Sequence, residues 1–383
     1  MTAATAVPCT ADRLPGPAAG DTPLRLDAPW WLPGGHAQTI WPALHARSWT
    51  GTRPRFVRER WDTPDGDFVD VDVLCEAAMP AQHPMTASGG RAAGTGTGAG
   101  GLDLARAAPA GPTPATARRP LLVLFHGLEG SSASPYALAF ADWARAQGWR
   151  YAVPHFRGCS GEINRAPRAY HSGDFEEIGW LLGRLRAGHD GPLLAVGISL
   201  GGNALLRWAE EAGASAAATV RAVAAVCAPL DLTAAGHAIG RGLNRLFYTP
   251  WFLRTMKPRA LERLARHPGL FDRERLLAAR DLHDFDNVFT APLHGFRDTD
   301  DYWRRASSGP RLGEIRIPAL VLNPRNDPFL PAAHLPTRAP AGGHVTLWQP
   351  AHGGHVGFAR GRCPPGDVRQ LPRAVGGWLR QHS

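Results

Sequence analysis

From Pro120 onward, short continuous apolar runs alternate with stretches in which apolar residues recur every three or four positions. The run "LLVLFHG" precedes an amphipathic "PYALAFADWARAQG", and "RYAVPHFRG" precedes "DFEEIGWLLGRLRA". The same alternation continues with "LLAVGIS", "GNALLRWAEEAG" and "RAVAAVCAP". Near the end come "ALVLNPRND", "HVTLWQP" and a last helical pattern, "DVRQLPRAVGGWLRQ". A strand apolar at every position is buried on both faces, and helices between such strands supply the cover. The pattern therefore predicts an α/β fold with a mostly parallel sheet and helices on both faces. Upstream, "FVDVDVL" (68–74) alternates and reads as a further strand.

Two segments break the rhythm. Residues 82–119 are rich in Gly, Ala, Pro and Thr with almost no large apolar side chains, which predicts a disordered loop. Residues 1–25 read as a disordered N-terminus ahead of one domain over 26–383. Between "VCAPLDL" and "RIPALVLN" lie about eighty helical, Trp- and Arg-rich residues. That is too long for a connection and too short for a separate domain, so it predicts a lid inserted over the sheet edge at about 232–312.

Composition narrows the classes. With 383 residues, 44% hydrophobic and 20% charged, the chain can bury a large core. The net charge of +9 comes from scattered arginines, with Lys257 the sole lysine and no arginine run longer than a pair. A polyanion-binding face would cluster them, so nucleic acid is not an expected partner. Five dispersed cysteines without a CxxC predict free thiols and no zinc site. No signal-peptide pattern or membrane-length apolar run is present, so the expected location is cytoplasmic, with room for peripheral membrane contact.

The chemistry concentrates at "VGISLGG", which holds Gly197-x-Ser199-x-Gly201. In a chain with 44 glycines the pattern alone is weak. Its position between an apolar strand and an amphipathic helix is what a nucleophile elbow requires, because the serine must sit on a strained strand-to-helix turn. A serine there needs a base and a group to orient the base, in the chain order Ser, Asp/Glu, His. Asp327 follows the strand before the last one and is the expected acid, with Asp231 after "APL" as the fallback. "QPAHGGHVGF" offers two histidines. His355 follows two glycines that leave an imidazole room to swing toward Ser199, whereas His352 lies nearer the strand and is expected to pack locally. A metal held by this pair would need further ligands at matching positions, and the local sequence shows none. The amides of Leu128, after "HG", and Leu200, after the serine, are the expected oxyanion donors.

The motifs "GGHAQTIWP", "HGLEGSSASPY", "HFRGCSGEINRAPRAYHSGD", "GISLGGN", "PLHGF" and "GGHVGF" together resemble the YheT-like (AB hydrolase 4) family of the α/β-hydrolase superfamily, from about Trp30 to the C-terminus. The resemblance implies an α/β-hydrolase fold and a serine esterase with Ser199, Asp327 and His355 as its triad and no cofactor. Family members are described as carboxylic-ester or lipid hydrolases, and some relatives transfer acyl groups to alcohols. Eukaryotic relatives often carry an N-terminal membrane anchor, which this sequence does not show. The 82–119 loop also departs from the family's compact hairpin. The expected function is hydrolysis of carboxylic esters, small-molecule or lipid, through an acyl-enzyme. Its rivals are acyl transfer to an alcohol and a non-catalytic binding protein of the same fold. The segment "FRGCSGEINR" and His126, His171 and His294 are read as structural, and the tryptophans of "APWWLPGG" and "TIWP" as core residues.

Overall fold

The computed structural model describes residues 26–75 and 118–383; the disorder expected at 1–25 and through most of 82–119 falls outside them. Among the described residues eight strands form one sheet: β1 (Phe56–Asp62), β2 (Phe68–Leu74), β3 (Leu121–Phe125), β4 (Arg150–Pro154), β5 (Leu193–Ile198), β6 (Ala222–Val226), β7 (Ala319–Leu322) and β8 (Val345–Trp348). Their order is β1-β2-β4-β3-β5-β6-β7-β8. β1 pairs antiparallel with β2 and β2 antiparallel with β4, and every later pair is parallel. The expectation of a mostly parallel sheet holds.

The central strands are apolar throughout because both faces are covered. On β3, Leu121, Val123 and Phe125 point into one core while Leu122 and Leu124 point into the other. The first core is closed by α3 (Phe175–Ala187) and α4 (Leu200–Ala212), through Ile178, Leu182, Leu205 and Leu206. The second is closed by α2 (Pro135–Ala146) and the C-terminal α12 (Gln370–Arg380), through Phe140, Ala144, Val375 and Leu379.

Two elements depart from the sequence reading. β1, "FVRERWD", is mostly exposed and carries no apolar alternation. It holds because Arg58 and Arg60 form ion pairs across the strand pair with Asp72 (2.7 Å) and Asp70 (2.8 Å). Those aspartates are buried, so both faces of the first part of β2 are covered and not only the apolar one. The other is α1 (Gly34–Leu44), formed by the "GGHAQTIWPAL" segment. Trp30 is 84% exposed and not a core residue.

Between β6 and β7 the chain forms six α-helices, α5 (Leu232–Ile239), α6 (Gly242–Arg266), α7 (Arg273–Ala278), α8 (Leu282–Val288), α9 (Thr290–Leu293) and α10 (Thr299–Ala306), and a 3-10 turn at Gly309–Glu314. Four of them begin at an aspartate whose carboxylate accepts a backbone N–H of the first turn: Asp231, Asp272, Asp281 and Asp298. These helices have apolar clusters of their own, around Phe285 and Phe289 and around Tyr302 and Trp303. A short α11 (Arg338–Ala341) precedes β8.

Cys75, Cys159 and Cys227 are free thiols, but Cys363 is disulfide-bonded, which corrects the expectation of free cysteines throughout. No helix among the described residues is long and apolar enough to cross a membrane.

Candidate active site

β5 ends at Ile198, α4 begins at Leu200, and Ser199 between them has φ 52° and ψ −119°. That left-handed turn lifts the side chain off the sheet edge. It is possible only because the neighbours are small: a Cβ on Gly201 would run into the carbonyl oxygen of His126, and one on Gly197 into Gly201. The Ser199 N–H donates to Val226 O (2.8 Å), tying the turn to β6.

Asp327 and His355 lie in the loops that follow β7 and β8, at the same sheet edge. The structure brings the three together in a chain of hydrogen bonds. His355 Nε2 is 2.9 Å from Ser199 Oγ, and His355 Nδ1 is 2.8 Å from Asp327 Oδ2. Asp327 is buried, and its second oxygen accepts the N–H of Phe329 (2.8 Å). With the carboxylate accepting from Nδ1, the imidazole keeps its proton there and turns a bare Nε2 to the serine.

The alternatives sit elsewhere. Asp231 caps α5 through Ala234 N (2.9 Å) and faces His334 Nδ1 (3.0 Å). His352 is exposed rather than packed. Leu128 and Leu200 line the same cavity as Ser199, and neither amide has an acceptor among the described residues.

Sequence reasoning missed what holds His355. Gln38 and Thr39, on α1, lie against its loop. The Thr39 hydroxyl accepts the His355 N–H (2.8 Å), and Gln38 Oε1 accepts from Gly353 N (3.0 Å) and from Asn326 Nδ2 (2.8 Å). A Cβ on Gly357 would collide with Gln38 O, which explains glycine there. The signal was the motif "GGHAQTIWP" itself, visible in the chain but without a partner to explain it. From beneath, the thiol of Cys227 accepts Val356 N–H (3.2 Å) and reaches Gly354 O (3.7 Å). Burial, and then the nearby Asp327 carboxylate, push that thiol well above its ordinary pKa, so it stays protonated. Cys227, Asp327 and His355 converge within 4.8 Å, a ligand set that the sequence did not disclose. Their atoms are already engaged in the hydrogen bonds just given.

Five non-glycine residues among those described have φ in the left-handed region: Glu129, Ser199, Cys227, Val356 and Phe358. Three are site or cavity residues or neighbours of His355, and Cys227 and Phe358 pack beneath. Backbone strain is concentrated where the geometry is most constrained.

Above Ser199 opens a cavity. Its walls come largely from the inserted helices and are mainly apolar, with Leu232, Ile239, Phe252, Met256, Phe285 and Phe289 among them. One wall is polar. Arg259 of α6 lies 3.0 Å from Glu129, which also accepts the Tyr170 hydroxyl (2.9 Å). The segment "FRGCSGEINR" both braces the fold and reaches the cavity, which Arg157, Gly158 and Ile163 help to line. Buried Arg157 bonds Asp65, Asp67 and Glu177, and Asn164 bridges Gly158 N and Phe68 O.

The three further histidines are held neutral. His126 accepts Phe156 N–H at Nε2 (3.1 Å) and donates from Nδ1 to Gly127 O (2.8 Å); burial lowers its pKa to about 3. The His171 and His294 rings lie 4.4 Å apart. Burial lowers them to about 3 and about 2. They shape the cavity and its supports without carrying charge.

Residues 120–361 match the sequence family described as alpha/beta hydrolase fold. The chain belongs to that family. It is 36% identical over 330 residues to YheT of Escherichia coli (strain K12), provisionally named an esterase, covering 85% of this chain and 84% of that protein. The mouse protein named phospholipase ABHD3 is 31% identical over 252 residues, 64% of this chain and 60% of its own length. A Saccharomyces cerevisiae protein named medium-chain fatty acid ethyl ester synthase/esterase 2 is 31% identical over 238 residues, covering 55% and 52%. The chain therefore spans about 60% of the mouse relative and about half of the yeast one.

Proposed function

We propose that this α/β hydrolase is a serine esterase that cleaves carboxylic esters with an apolar acyl group. The observation that carries the reading is the hydrogen-bonded chain Ser199–His355–Asp327 at the floor of a mainly apolar cavity. His355 Nε2 takes the hydroxyl proton as Ser199 Oγ attacks the acyl carbonyl. Asp327 holds the imidazole and offsets the charge it gains. The carbonyl oxygen becomes an oxyanion facing the N–H groups of Leu128 and Leu200. Each donor of this kind is worth about 10²–10³ in rate. The tetrahedral intermediate collapses as the C–O bond to the alcohol breaks and His355 returns its proton to that oxygen. Water, deprotonated by the same Nε2, then attacks the acyl-enzyme and frees the acid and Ser199.

The domain is one hydrolase unit in which α5 to α10 act as the lid that walls the acyl pocket. The names of the relatives, an esterase, a phospholipase and an ester synthase/esterase, support ester chemistry of small-molecule or lipid substrates. The yeast name also favours a second reading, in which an alcohol in place of water takes the acyl group.

The test is turnover of p-nitrophenyl esters from acetate to palmitate, with fluorophosphonate labelling, for the wild type and Ser199→Ala. Turnover and labelling that vanish together in the variant are expected. Labelling and turnover both absent from the wild type would refute an assembled site. Added ethanol separates the two acceptors, since ethyl ester in excess of free acid would replace the hydrolase reading with the transferase one.

A further inference from the structure

α6 carries two faces with different chemistry. Its inner face is fixed: Asn244 Nδ2 donates to Ala238 O (2.9 Å) and Pro328 O (2.6 Å), Tyr248 OH lies 3.2 Å from His36 Nδ1, and Thr249 Oγ1 donates to Ile239 O (2.9 Å). Its outer face exposes Leu243 (56%), Leu246 (69%), Phe247 (59%) and Trp251 (56%). At the helical pitch these four and Arg254 occupy an arc of roughly 140°. The remaining exposed positions of the helix as far as Pro258 are glycine, arginine or proline. The first acidic residue of α6 is Glu262, five turns in. Arg254, within the arc, is exposed and forms no ion pair among the described residues; Arg241 at the N-cap and Arg245 are also exposed and without an ion pair there, but they lie on the far side of the helix.

We propose that this face of α6 docks on an anionic lipid surface. Large aliphatic and aromatic side chains sit at the acyl boundary, with tryptophan favoured at the headgroup level, and an arginine set among them, here Arg254, bonds a lipid phosphate. The absence of acidic side chains on this stretch removes the repulsion that a negative surface would otherwise meet. A second copy of the chain suits the face less well, because a two-fold contact would set the stripe and its Arg254 against themselves. The same helix lines the cavity with Phe252, Met256 and Arg259, so docking brings one cavity wall to the bilayer. Docking does not depend on the esterase reading. Only its use, delivery of lipid esters to Ser199, rests on that reading.

The experiment is co-sedimentation of the full chain with vesicles of phosphatidylcholine alone or mixed with phosphatidylglycerol. Binding is expected to the phosphatidylglycerol vesicles and to weaken with salt. The triple variant Leu246→Ser, Phe247→Ser, Trp251→Ser, altered only at exposed positions, is expected to lose at least about tenfold in binding. Arg254→Gln is expected to lose roughly fivefold. Both variants keep wild-type turnover of p-nitrophenyl acetate. Failure of the wild type to sediment with anionic vesicles, or wild-type sedimentation by the triple variant, overturns the proposal. So does light scattering that shows a wild-type dimer and a monomeric triple variant, since the stripe is then covered by a second copy. Vesicle binding by a protein without esterase turnover would sink the esterase reading and leave docking standing.

Discussion

Replacing Asp327 by asparagine keeps the shape of the side chain and tests how the imidazole is oriented. The carboxylate serves two donors at once, His355 Nδ1–H at 2.8 Å and Phe329 N–H at 2.8 Å, in a place where it is only 5% exposed. An amide has one oxygen for those two donors. If that oxygen stays on Phe329 N–H, the amide NH₂ faces Nδ1. The imidazole then carries its proton on Nε2, toward Ser199, and cannot act as base. If the oxygen turns to His355, the NH₂ opposes Phe329 N–H, a buried donor pair that costs about 1–3 kcal/mol. Both arrangements also lose the negative charge facing the imidazolium. The expected loss in kcat is about 10⁴, or ~5 kcal/mol of transition-state stabilisation. The assay is kcat and KM on p-nitrophenyl butyrate, with thermal unfolding to show that the fold persists. Asp231→Asn is the control, because asparagine caps a helix as well as aspartate and α5 should stay in place. A rate for Asp327→Asn within tenfold of wild type, or an equal loss for Asp231→Asn, would refute the assignment.

Three further outcomes are expected. Gly201→Ala drives a methyl into the backbone of Phe125 and His126, so little folded protein and no fluorophosphonate labelling should be recovered, and a folded, active variant would contradict the packing at the elbow. Arg259→Gln removes the ion pair to Glu129, which holds φ 58° beside Leu128. We expect kcat to fall about tenfold with KM for acetate little changed, and Arg259→Lys to restore part of it, whereas a pure KM effect would place Arg259 in substrate binding instead. Asp286 is half-buried in the cavity wall, accepts from Thr290 and Trp303 but faces no cation at hydrogen-bond distance among the described residues, and desolvation pushes it up to about 6. A carboxyl raised on folding contributes stability that is present below its unfolded pKa of about 4 and lost as pH rises through about 6. Urea unfolding should therefore show the wild type losing about 2 kcal/mol relative to Asp286→Asn between pH 4.5 and 7, and a pH-independent difference would refute it.

The central strands were legible because a strand covered on both faces has no polar position to confuse the pattern. β1 was not, since the residues that make "FVRERWD" look like a surface loop are the ones that hold it to β2. The guanidinium groups of Arg58 and Arg60 lie in register with Asp72 and Asp70, and such pairing is invisible until the register is known. The insertion was recognisable as helical but not divisible into helices. Its Trp- and Arg-rich composition hides the period, while the four capping aspartates carry the boundaries and could have been read as such.

The site divides in the same way. Ser199, Asp327 and His355 follow from strand order, because each sits at the end of a strand that the apolar pattern locates. What selects His355 over His352 is less local than the two glycines suggested. Its backbone is held by Thr39 and its loop by Gln38, more than three hundred residues earlier in the chain. Gly357 is glycine because Gln38 occupies the space its side chain would need. The two histidine- and glycine-bearing motifs at opposite ends of the sequence are thus halves of one support. Neither half explains itself, and a substitution at Thr39 would reach Ser199 only through the position of the imidazole.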